Sequence, residues 1–268
     1  MRVTSGQAQL AVEVNNAAAR PRVLLLHAGV TDKRSWQPLV AALGSGVATI
    51  AFDRRGYGET TYEPEEHSHV DDAVAVLDVV GASEPVVVIG ASMGGRLALD
   101  LALAHPERVA ALVLIGSAVR GEPESGFPEP TAEEQRLEAA FETAGEDLDA
   151  VNRIEAHYWL DGPGAPEGRV SGAVRDLFLD MNGIELRSPD PGEQRELASA
   201  YDRLGEIGVP VLVLVGDLDE GQTRWLSAQL AERIPGARFE TLADTAHLPH
   251  MEGHARCLEA VREFVSGL

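Results

Sequence analysis

The sequence has very little cysteine and no long apolar run. Cys257 is the one cysteine of the sequence, so no intrachain disulfide can form. It lies in a predicted C-terminal helix, where we interpret it as a small packing residue. No apolar run approaches the roughly 20 residues that span a bilayer. The first residues, MRVTSGQAQLAVEVNN, also lack the apolar segment of a signal peptide. We therefore expect a cytoplasmic protein.

Positive charge is scarce as well. The chain carries 22 basic and 43 acidic residues, a formal net charge of −21, and Lys33 is its one lysine. Such a field repels nucleic acid and anionic membranes, and it disfavours polyanionic substrates unless arginines cluster locally. We expect a small-molecule substrate, no nucleic-acid or membrane partner, and a monomer or homodimer.

Short apolar runs, by contrast, recur along the chain. They cover Arg22–His27, Val47–Phe52, Pro85–Gly90, Ala111–Gly116, Val209–Gly216 and Ala237–Leu242. Runs that are apolar on both faces are typical of a parallel sheet covered by helices, and helical patterns lie between them. The alternating segment AQLAVEV reads as an edge strand. The pattern predicts an α/β protein with a doubly wound sheet.

One region breaks this alternation. From Val119 to about Glu206 there is no convincing strand, and helical patterns begin at Thr131, which opens a capping box with Glu134. Further helices are predicted near Asp147–Leu160, Ser171–Met181 and Glu193–Leu204. We interpret residues 119–206 as a helical insertion into a core formed by residues 1–118 and 207–268.

The segment VVVIGASMGGRLALDLALAHP joins a predicted strand to a predicted helix. Ser92 stands at the turn, with Gly90 and Gly94 two positions away on either side. This is the G-x-S-x-G nucleophile elbow, in which small flanking residues let the strand and helix pass closely while the serine hydroxyl is lifted above the sheet. A serine that caps the helix and a phosphate-binding loop are the alternatives. No Lys-Ser/Thr follows, and the dinucleotide-binding pattern is absent here.

A serine nucleophile needs a base, and the base needs an orienting acid. In this architecture both follow the serine along the chain. Asp217 and Asp219 come after one later strand, and three histidines come after the last: His247, His250 and His254. His250 and His254 are also four residues apart, so a metal pair is an alternative to surface histidines. The pair His67 and His69 is read as part of a helix-start loop rather than as ligands.

The sequence resembles the α/β-hydrolase superfamily, specifically its serine esterase and lactonase branch with a helical cap. The segments LLLHAG, FDRRGYGET, GASMGG, GDLD and AHLPHME carry the resemblance, which covers nearly the whole chain. It implies an α/β-hydrolase fold, with a mostly parallel eight-stranded sheet flanked by helices and an inserted helical cap. It also implies Asp219 as the acid, ahead of Asp217, and His247 as the base.

The oxyanion of an acyl-transfer reaction needs two backbone donors. The first expected donor is the N–H of Met93, and the second comes from the loop after His27, where Gly29 fits by position and Val30 is the alternative. This chain has Ala28 where relatives commonly have glycine. His27 itself is interpreted as a structural hydrogen-bonding residue.

Other residues are candidates for substrate contact or for structure. Asp53–Arg55 are interpreted as turn-shaping residues, with one of the two arginines an alternative pocket residue. The candidate substrate-binding residues are Val30, Trp36, His157, Tyr158 and Trp159.

A serine nucleophile disfavours the aspartate-dependent epoxide hydrolases and haloalkane dehalogenases of this fold. We expect an enzyme that hydrolyses a small carboxylic ester or lactone through an acyl-enzyme, with no metal or organic cofactor. The alternatives are a carbon–carbon bond hydrolase, a natural-product cyclase that uses the same pocket, and a non-catalytic small-molecule binder.

Overall fold

The computed structural model describes residues 1–20, 22–123, 125–195 and 197–268. Eight strands form one sheet: β1 (Arg2–Ser5), β2 (Ala8–Asn15), β3 (Arg22–Leu26), β4 (Ala48–Phe52), β5 (Val86–Ala91), β6 (Val109–Ile115), β7 (Val211–Gly216) and β8 (Arg238–Leu242). Their spatial order is β1-β2-β4-β3-β5-β6-β7-β8. β1 and β2 pair antiparallel, β2 meets β4 antiparallel, and all other pairs are parallel. The predicted eight-stranded, mostly parallel sheet is confirmed.

Nine α-helices lie in the described part of the chain. They are α1 (Gln37–Leu43), α2 (His69–Val79), α3 (Met93–Ala104), α4 (Ala132–Ala144), α5 (Leu148–Glu155), α6 (Ala173–Glu185), α7 (Gly221–Arg233), α8 (Pro249–Glu252) and α9 (Ala255–Ser266). A turn of π-helix, Ala156–Asp161, continues α5, and short 3₁₀ turns occur at Lys33–Trp36, Pro106–Arg108 and Tyr201–Glu206. None of the helices described is both long and apolar enough to cross a membrane.

The apolar runs divide their side chains between the two faces of the sheet. Leu24, Val88 and Leu112 belong to one core cluster, whereas their neighbours Leu25 and Ile89 belong to the other. Successive residues of a strand point to opposite faces, so a strand covered on both sides must be apolar throughout. Helices α2, α3 and α7 supply buried residues to the first cluster, and α1 and α9 to the second. Cys257 lies within the second cluster, fully buried.

Two predictions about elements were wrong. The segment AQLAVEV forms β2, which lies inside the sheet between β1 and β4, and the strand at that edge of the sheet is β1. No helix forms between Glu193 and Arg195, because this stretch pairs with the backbone beside α2: His67 N–H donates to Glu193 O at 2.9 Å, and Arg195 N–H donates to His67 O at 2.8 Å. Among the described residues of the predicted helix, helical structure is limited to the 3₁₀ turn Tyr201–Glu206.

The segment between β6 and β7 carries α4, α5, the π turn and α6, and its described residues contain no strand. Helix α4 begins as the capping box predicts: Glu134 N–H donates to Thr131 Oγ1 at 3.2 Å, and Thr131 N–H donates back to the Glu134 carboxylate at 2.6 Å. The same carboxylate accepts from Gly221 N–H at 2.8 Å, which ties this segment to the start of α7. The division at residues 119 and 206 stays a prediction.

Candidate active site

Ser92 occupies the turn between β5 and α3. Its backbone has φ 51° and ψ −118°, a left-handed conformation that is unusual for a residue other than glycine. Ser92 N–H donates to Ile115 O of β6 at 2.9 Å, which ties the turn to the neighbouring strand. The serine side chain caps no backbone amide of α3. The local geometry therefore holds the hydroxyl at the carboxyl edge of the sheet without using it for capping.

The glycines on either side of Ser92 are needed because neighbouring backbone and side-chain atoms leave no space for a Cβ at these positions. A Cβ at Gly94 would collide with the carbonyl oxygen of Leu26 in β3, and one at Gly90 would collide with the carbonyl of Gly94. Gly95 is equally restricted, because its Cβ would meet the Ser117 side chain. The small residues predicted from the pentapeptide are therefore required by packing of α3 against β3 and β5.

Asp219 and His247 form a buried hydrogen-bonded pair. His247 Nδ1 lies 2.8 Å from Asp219 Oδ2 and 3.1 Å from Oδ1, and each residue is 3% exposed. Asp219 Oδ1 also accepts from Glu220 N–H at 2.9 Å. Burial opposes a charge on the imidazole, but the Asp219 carboxylate outweighs burial and raises the pKa of His247. Asp217 is exposed instead, so the geometry favours Asp219 of the two candidates.

The loops that carry this pair meet through another glycine. A Cβ at Gly216, the last residue of β7, would collide with the carbonyl oxygens of Thr245 and Ala246. The absence of a side chain there lets the histidine loop approach the end of β7, and this contact brings His247 within reach of Asp219.

Residues 115–118 connect Ser92 to the acid–base pair. A Cβ at Gly116 would lie 3.1 Å from His247 Nδ1 and 3.2 Å from Asp219 Oδ2. The carbonyl oxygen of Ile115, the residue before Gly116, accepts from Ser92 N–H, and Ala118 N–H donates to Ser92 O at 3.2 Å. The three residues predicted from distant parts of the sequence thus gather at the end of β6.

Gly29 lies beside the residue that follows Ser92. A Cβ at Gly29 would sit 2.8 Å from Met93 Sδ, so the loop after β3 is packed against the start of α3. The backbone groups proposed as oxyanion donors therefore belong to neighbouring segments. Val30 is half-buried and packs against the second core cluster, and Ala28 is fully buried, so the methyl group at this position is accommodated.

His27 is fixed by two hydrogen bonds. Its Nε2 accepts from Arg54 N–H at 3.1 Å, and its Nδ1 lies 2.8 Å from Ala28 O, so Nδ1 carries the proton. Burial, together with the Arg54 charge, lowers the pKa of His27 well below its usual value. The neutral ring acts as a structural link between the loops after β3 and β4.

The three residues of the Asp53–Arg55 turn have different surroundings. Asp53 accepts from Lys33 Nζ at 2.7 Å and from Glu59 N–H at 2.8 Å, and Arg55 pairs with the Asp72 carboxylate at 3.0 Å. Both shape the turn, as expected. Arg54 is also buried, but it lines a cavity beside Met93.

Of the residues predicted to bind substrate, Trp159 alone contacts the acid–base pair. Its ring lies 4.6 Å from the His247 ring, centroid to centroid, and its carbonyl accepts from His247 N–H at 3.3 Å. Tyr158 donates instead to the Glu220 carboxylate at 2.9 Å, and His157 Nε2 bonds Ala165 O at 3.0 Å. These two side chains are engaged in fixing the π turn.

The structure does not bring Trp36 to a pocket mouth. Trp36 is 1% exposed and stacks on His250, with ring centroids 4.2 Å apart, so it belongs to the core below α8. The expectation of a surface His250 was also wrong, because this histidine is fully buried. His254 serves as the N-cap of α9 and accepts from Cys257 N–H at 3.3 Å.

Sequence reasoning missed two features near the site. Arg96 lies one helical turn after Ser92, a spacing that indicates a shared helix face. Arg169 joins the π turn to the histidine loop through the Glu252 carboxylate, with both oxygens at 2.9 Å. Glu252 belongs to the quoted segment AHLPHME, but no sequence spacing links it to an arginine 83 positions earlier.

The model of the alpha/beta hydrolase family matches residues 23–260. The chain belongs to this family. It is 27% identical to a pimeloyl-[acyl-carrier protein] methyl ester esterase of Neisseria meningitidis, over 92% of this chain and 77% of that protein. It is 28% identical to a 2-hydroxymuconate semialdehyde hydrolase of Pseudomonas sp., over 97% and 92% of the two chains.

The fold is also found in solved structures. An esterase from Rhodococcus sp., 24% identical, superposes with a TM-score of 0.77 over 100% of this chain and 98% of that one. The α/β-hydrolase fold is therefore confirmed. The family and the relatives support a hydrolase enzyme.

Proposed function

We propose that this protein hydrolyses a small-molecule carboxylic ester or lactone through an acyl-enzyme formed on Ser92. His247 acts as general base and acid. Asp219 orients the imidazole ring and balances its positive charge when it is protonated, and the N–H groups of Gly29 and Met93 bind the oxyanion. The observation that carries the proposal is the buried His247–Asp219 pair at Gly116, beside the strained Ser92 turn.

The reaction proceeds by two acyl transfers. His247 accepts the Ser92 hydroxyl proton as the oxygen attacks the acyl carbon, and the Gly29 and Met93 amides stabilise the negative oxygen of the tetrahedral intermediate. The intermediate expels the alkoxide, which takes the proton from His247. Water then loses a proton to His247 and attacks the ester on Ser92. Collapse of the second intermediate releases the carboxylic acid and restores the Ser92 hydroxyl.

Substitution of the nucleophile tests this proposal. Ser92→Ala removes the attacking oxygen, so we expect turnover of short acyl esters and lactones to fall at least about 10³-fold. A fluorophosphonate is expected to label Ser92 in the wild type. The control is Ser227→Ala, which removes another buried serine hydroxyl in α7 and should leave rate and labelling intact. Unchanged turnover by Ser92→Ala would remove the serine mechanism.

A second candidate reaction is cleavage of a carbon–carbon bond beside a ketone. The similarity to a 2-hydroxymuconate semialdehyde hydrolase supports this reaction as the second candidate. Product analysis separates the reactions: an ester releases an alcohol and an acid, whereas a cleaved diketone releases a ketone and an acid. Turnover of diketones but not of esters by the wild type, lost in Ser92→Ala, would select this second reaction. Cyclisation without uptake of water would select the cyclase alternative.

A further inference from the structure

Arg54 is a buried charge that no carboxylate of the described residues contacts directly, and the nearest acidic influence on it is Glu185. Its side chain is 1% exposed, and no carboxylate among the described residues lies within ion-pair distance of it. Its Nη2 donates to Ala28 O at 3.0 Å, and its guanidinium lies over the Tyr57 ring, 4.6 Å from the centroid. Its Nε is buried and has no hydrogen-bond partner in the described structure. A buried cation is costly unless an anion compensates it.

Arg96 is a second cation near Arg54, and the two side chains line the same cavity. It lies in the first turns of α3 and is half-buried, and it too has no carboxylate within ion-pair distance in the described part of the chain. Its neighbour Arg120 differs, because the Asp100 carboxylate lies 3.2 Å away and balances that charge. Burial and the Arg120 charge lower the pKa of Arg96, which reflects the same lack of compensation.

Two adjoining cavities connect these arginines to the start of α3. Arg54, His69, Met93 and Gln194 line both. The larger has a volume of ≈ 290 Å³ and extends along Tyr57 to Glu185, and the smaller, of ≈ 20 Å³, reaches Arg96 and Arg120. Met93, which directly follows Ser92 in the chain, lines both cavities, so they lie beside the start of α3 that carries the nucleophile turn.

The surroundings limit the charge of such a ligand. Glu185 faces Arg54 across the larger cavity, and burial together with Glu155 raises the pKa of Glu185 to about 6. With Glu185 ionised, Arg54, Arg96 and this carboxylate together leave one net positive charge, which one negative charge on a ligand balances and a second would exceed. A protein of net charge −21 disfavours a dianion further. The planar guanidinium fork of Arg54 matches the two oxygens of a carboxylate.

We propose that Arg54, supported by Arg96, binds a free carboxylate on the substrate, so that the enzyme acts on esters or lactones of monoanionic acids. This inference rests on the proposed hydrolysis at Ser92. The substrate class is a half-ester, or a lactone with a carboxylate substituent, whose anionic end enters the cavity while its acyl carbon faces Ser92.

The first test measures binding without turnover. Ser92→Ala protein is titrated calorimetrically with monomethyl glutarate and with the methyl ester of glutaric acid monoamide, which has the same size and no charge. Hydrogen bonds to charged groups predict that the half-ester binds roughly 10- to 100-fold more tightly. Arg54→Gln and Arg96→Gln, each added to Ser92→Ala, should reduce this ratio at least about fivefold, and Arg54→Lys should retain part of it.

The control variant is Arg203→Gln, which removes one positive charge from an exposed pair with Glu206 and should leave the binding ratio intact. Arg96→Gln keeps the test decisive if the buried Arg54→Gln fails to fold. Equal affinity for both esters, or a ratio that neither arginine variant changes, overturns the inference. Competition by inorganic phosphate at the concentrations at which glutarate competes would overturn the carboxylate assignment.

Failure of this inference is distinguishable from failure of the proposed reaction. If the wild type hydrolyses both esters with equal kcat/KM and Ser92→Ala does not, the reaction stands and the carboxylate site is rejected. If the half-ester binds selectively to Ser92→Ala but the wild type leaves it intact, the site stands and ester hydrolysis is rejected.

Discussion

The imidazole of His247 is under two opposing influences. Its burial favours the neutral ring, whereas the Asp219 carboxylate 2.8 Å away favours the protonated one, and the carboxylate prevails. A general base must be neutral to accept the serine proton. A raised pKa therefore means that the base is lost on acidification earlier than an ordinary histidine, whose value is about 6.5, would be.

We expect kcat/KM for a neutral ester to decline as pH falls, with a midpoint above the ordinary histidine value of about 6.5. Asp219→Asn should move this midpoint to lower pH, because the carboxylate that favours the imidazolium is gone. It should also reduce kcat about 10⁴-fold through loss of ring orientation. The measurement is a pH–rate profile of each variant, with His105→Gln as the control, since His105 is half-buried at the C-terminal end of α3, the opposite end from Ser92. An acid limb at the same pH in Asp219→Asn would argue against His247 as the base.

Some residues of the candidate site could be predicted from local sequence patterns, and others could not. The elbow around Ser92 was readable because its glycines serve a local turn. The preference for Asp219 over Asp217 came from family resemblance, and in the structure the two differ by burial, which spacing does not reveal. The lack of a carboxylate in direct contact with Arg54 could not be predicted from sequence spacing either, because it depends on how distant segments of the described chain pack around this side chain. The roles of these residues in catalysis stay predictions.

At the scale of elements, the π turn and the histidine loop are joined by one arginine. Arg169 donates to Leu160 O and Asp161 O, both at 2.7 Å, and to the Glu252 carboxylate. Glu252 in turn accepts from Thr245 Oγ1 at 2.9 Å, two residues before His247. The position of His247, the proposed base, thus depends on the segment between β6 and β7.

Arg169→Ala should disturb the histidine loop and leave Glu252 without its cation. We expect the free energy of unfolding to fall by about 1–3 kcal/mol. We also expect kcat to fall more than KM rises, since the base is displaced while the arginine cavity is untouched. Thermal unfolding and steady-state kinetics measure the two effects. Arg187→Ala, which removes an exposed pair with Asp149, is the matched control and should change neither. A rise in KM alone would contradict this positioning role.

Elements were predictable where their pattern is local. The buried parallel strands appear as apolar runs because both faces are covered. β1 was missed because its four residues, RVTS, include one fully buried apolar side chain and no long run. The helix predicted over Glu193–Leu204 was wrong because backbone bonds to His67 hold the described residues at its start extended. Such pairing between distant segments leaves no periodic signal.

At the scale of the whole molecule, the acidic surface and the arginine cavity act in opposite directions on an anionic substrate. The net charge of −21 repels the anion at a distance, and the arginines attract it after entry. Salt screens exposed charges over about 30 Å at 0.01 M and about 8 Å at 0.15 M, but it screens buried pairs much less. The approach of substrate is therefore more sensitive to salt than its final contacts.

Between about 10 and 150 mM NaCl, we expect kcat/KM for monomethyl glutarate to rise roughly twofold or more as the repulsion is screened. The uncharged monoamide ester should show no comparable trend. Initial rates of both esters at low substrate concentration, in one buffer at fixed pH, measure the effect. A decrease for the half-ester over this range would mean that local attraction also dominates its approach.

The burial of Cys257 makes the molecule convenient for spectroscopy. Burial raises the pKa of this thiol to about 12, so it stays protonated and shielded at neutral pH. A cysteine introduced on an exposed face of α4 would accordingly be the one group that a maleimide fluorophore modifies. Site-specific dyes can then report movements of this helix against the sheet without removal of the native sulfur.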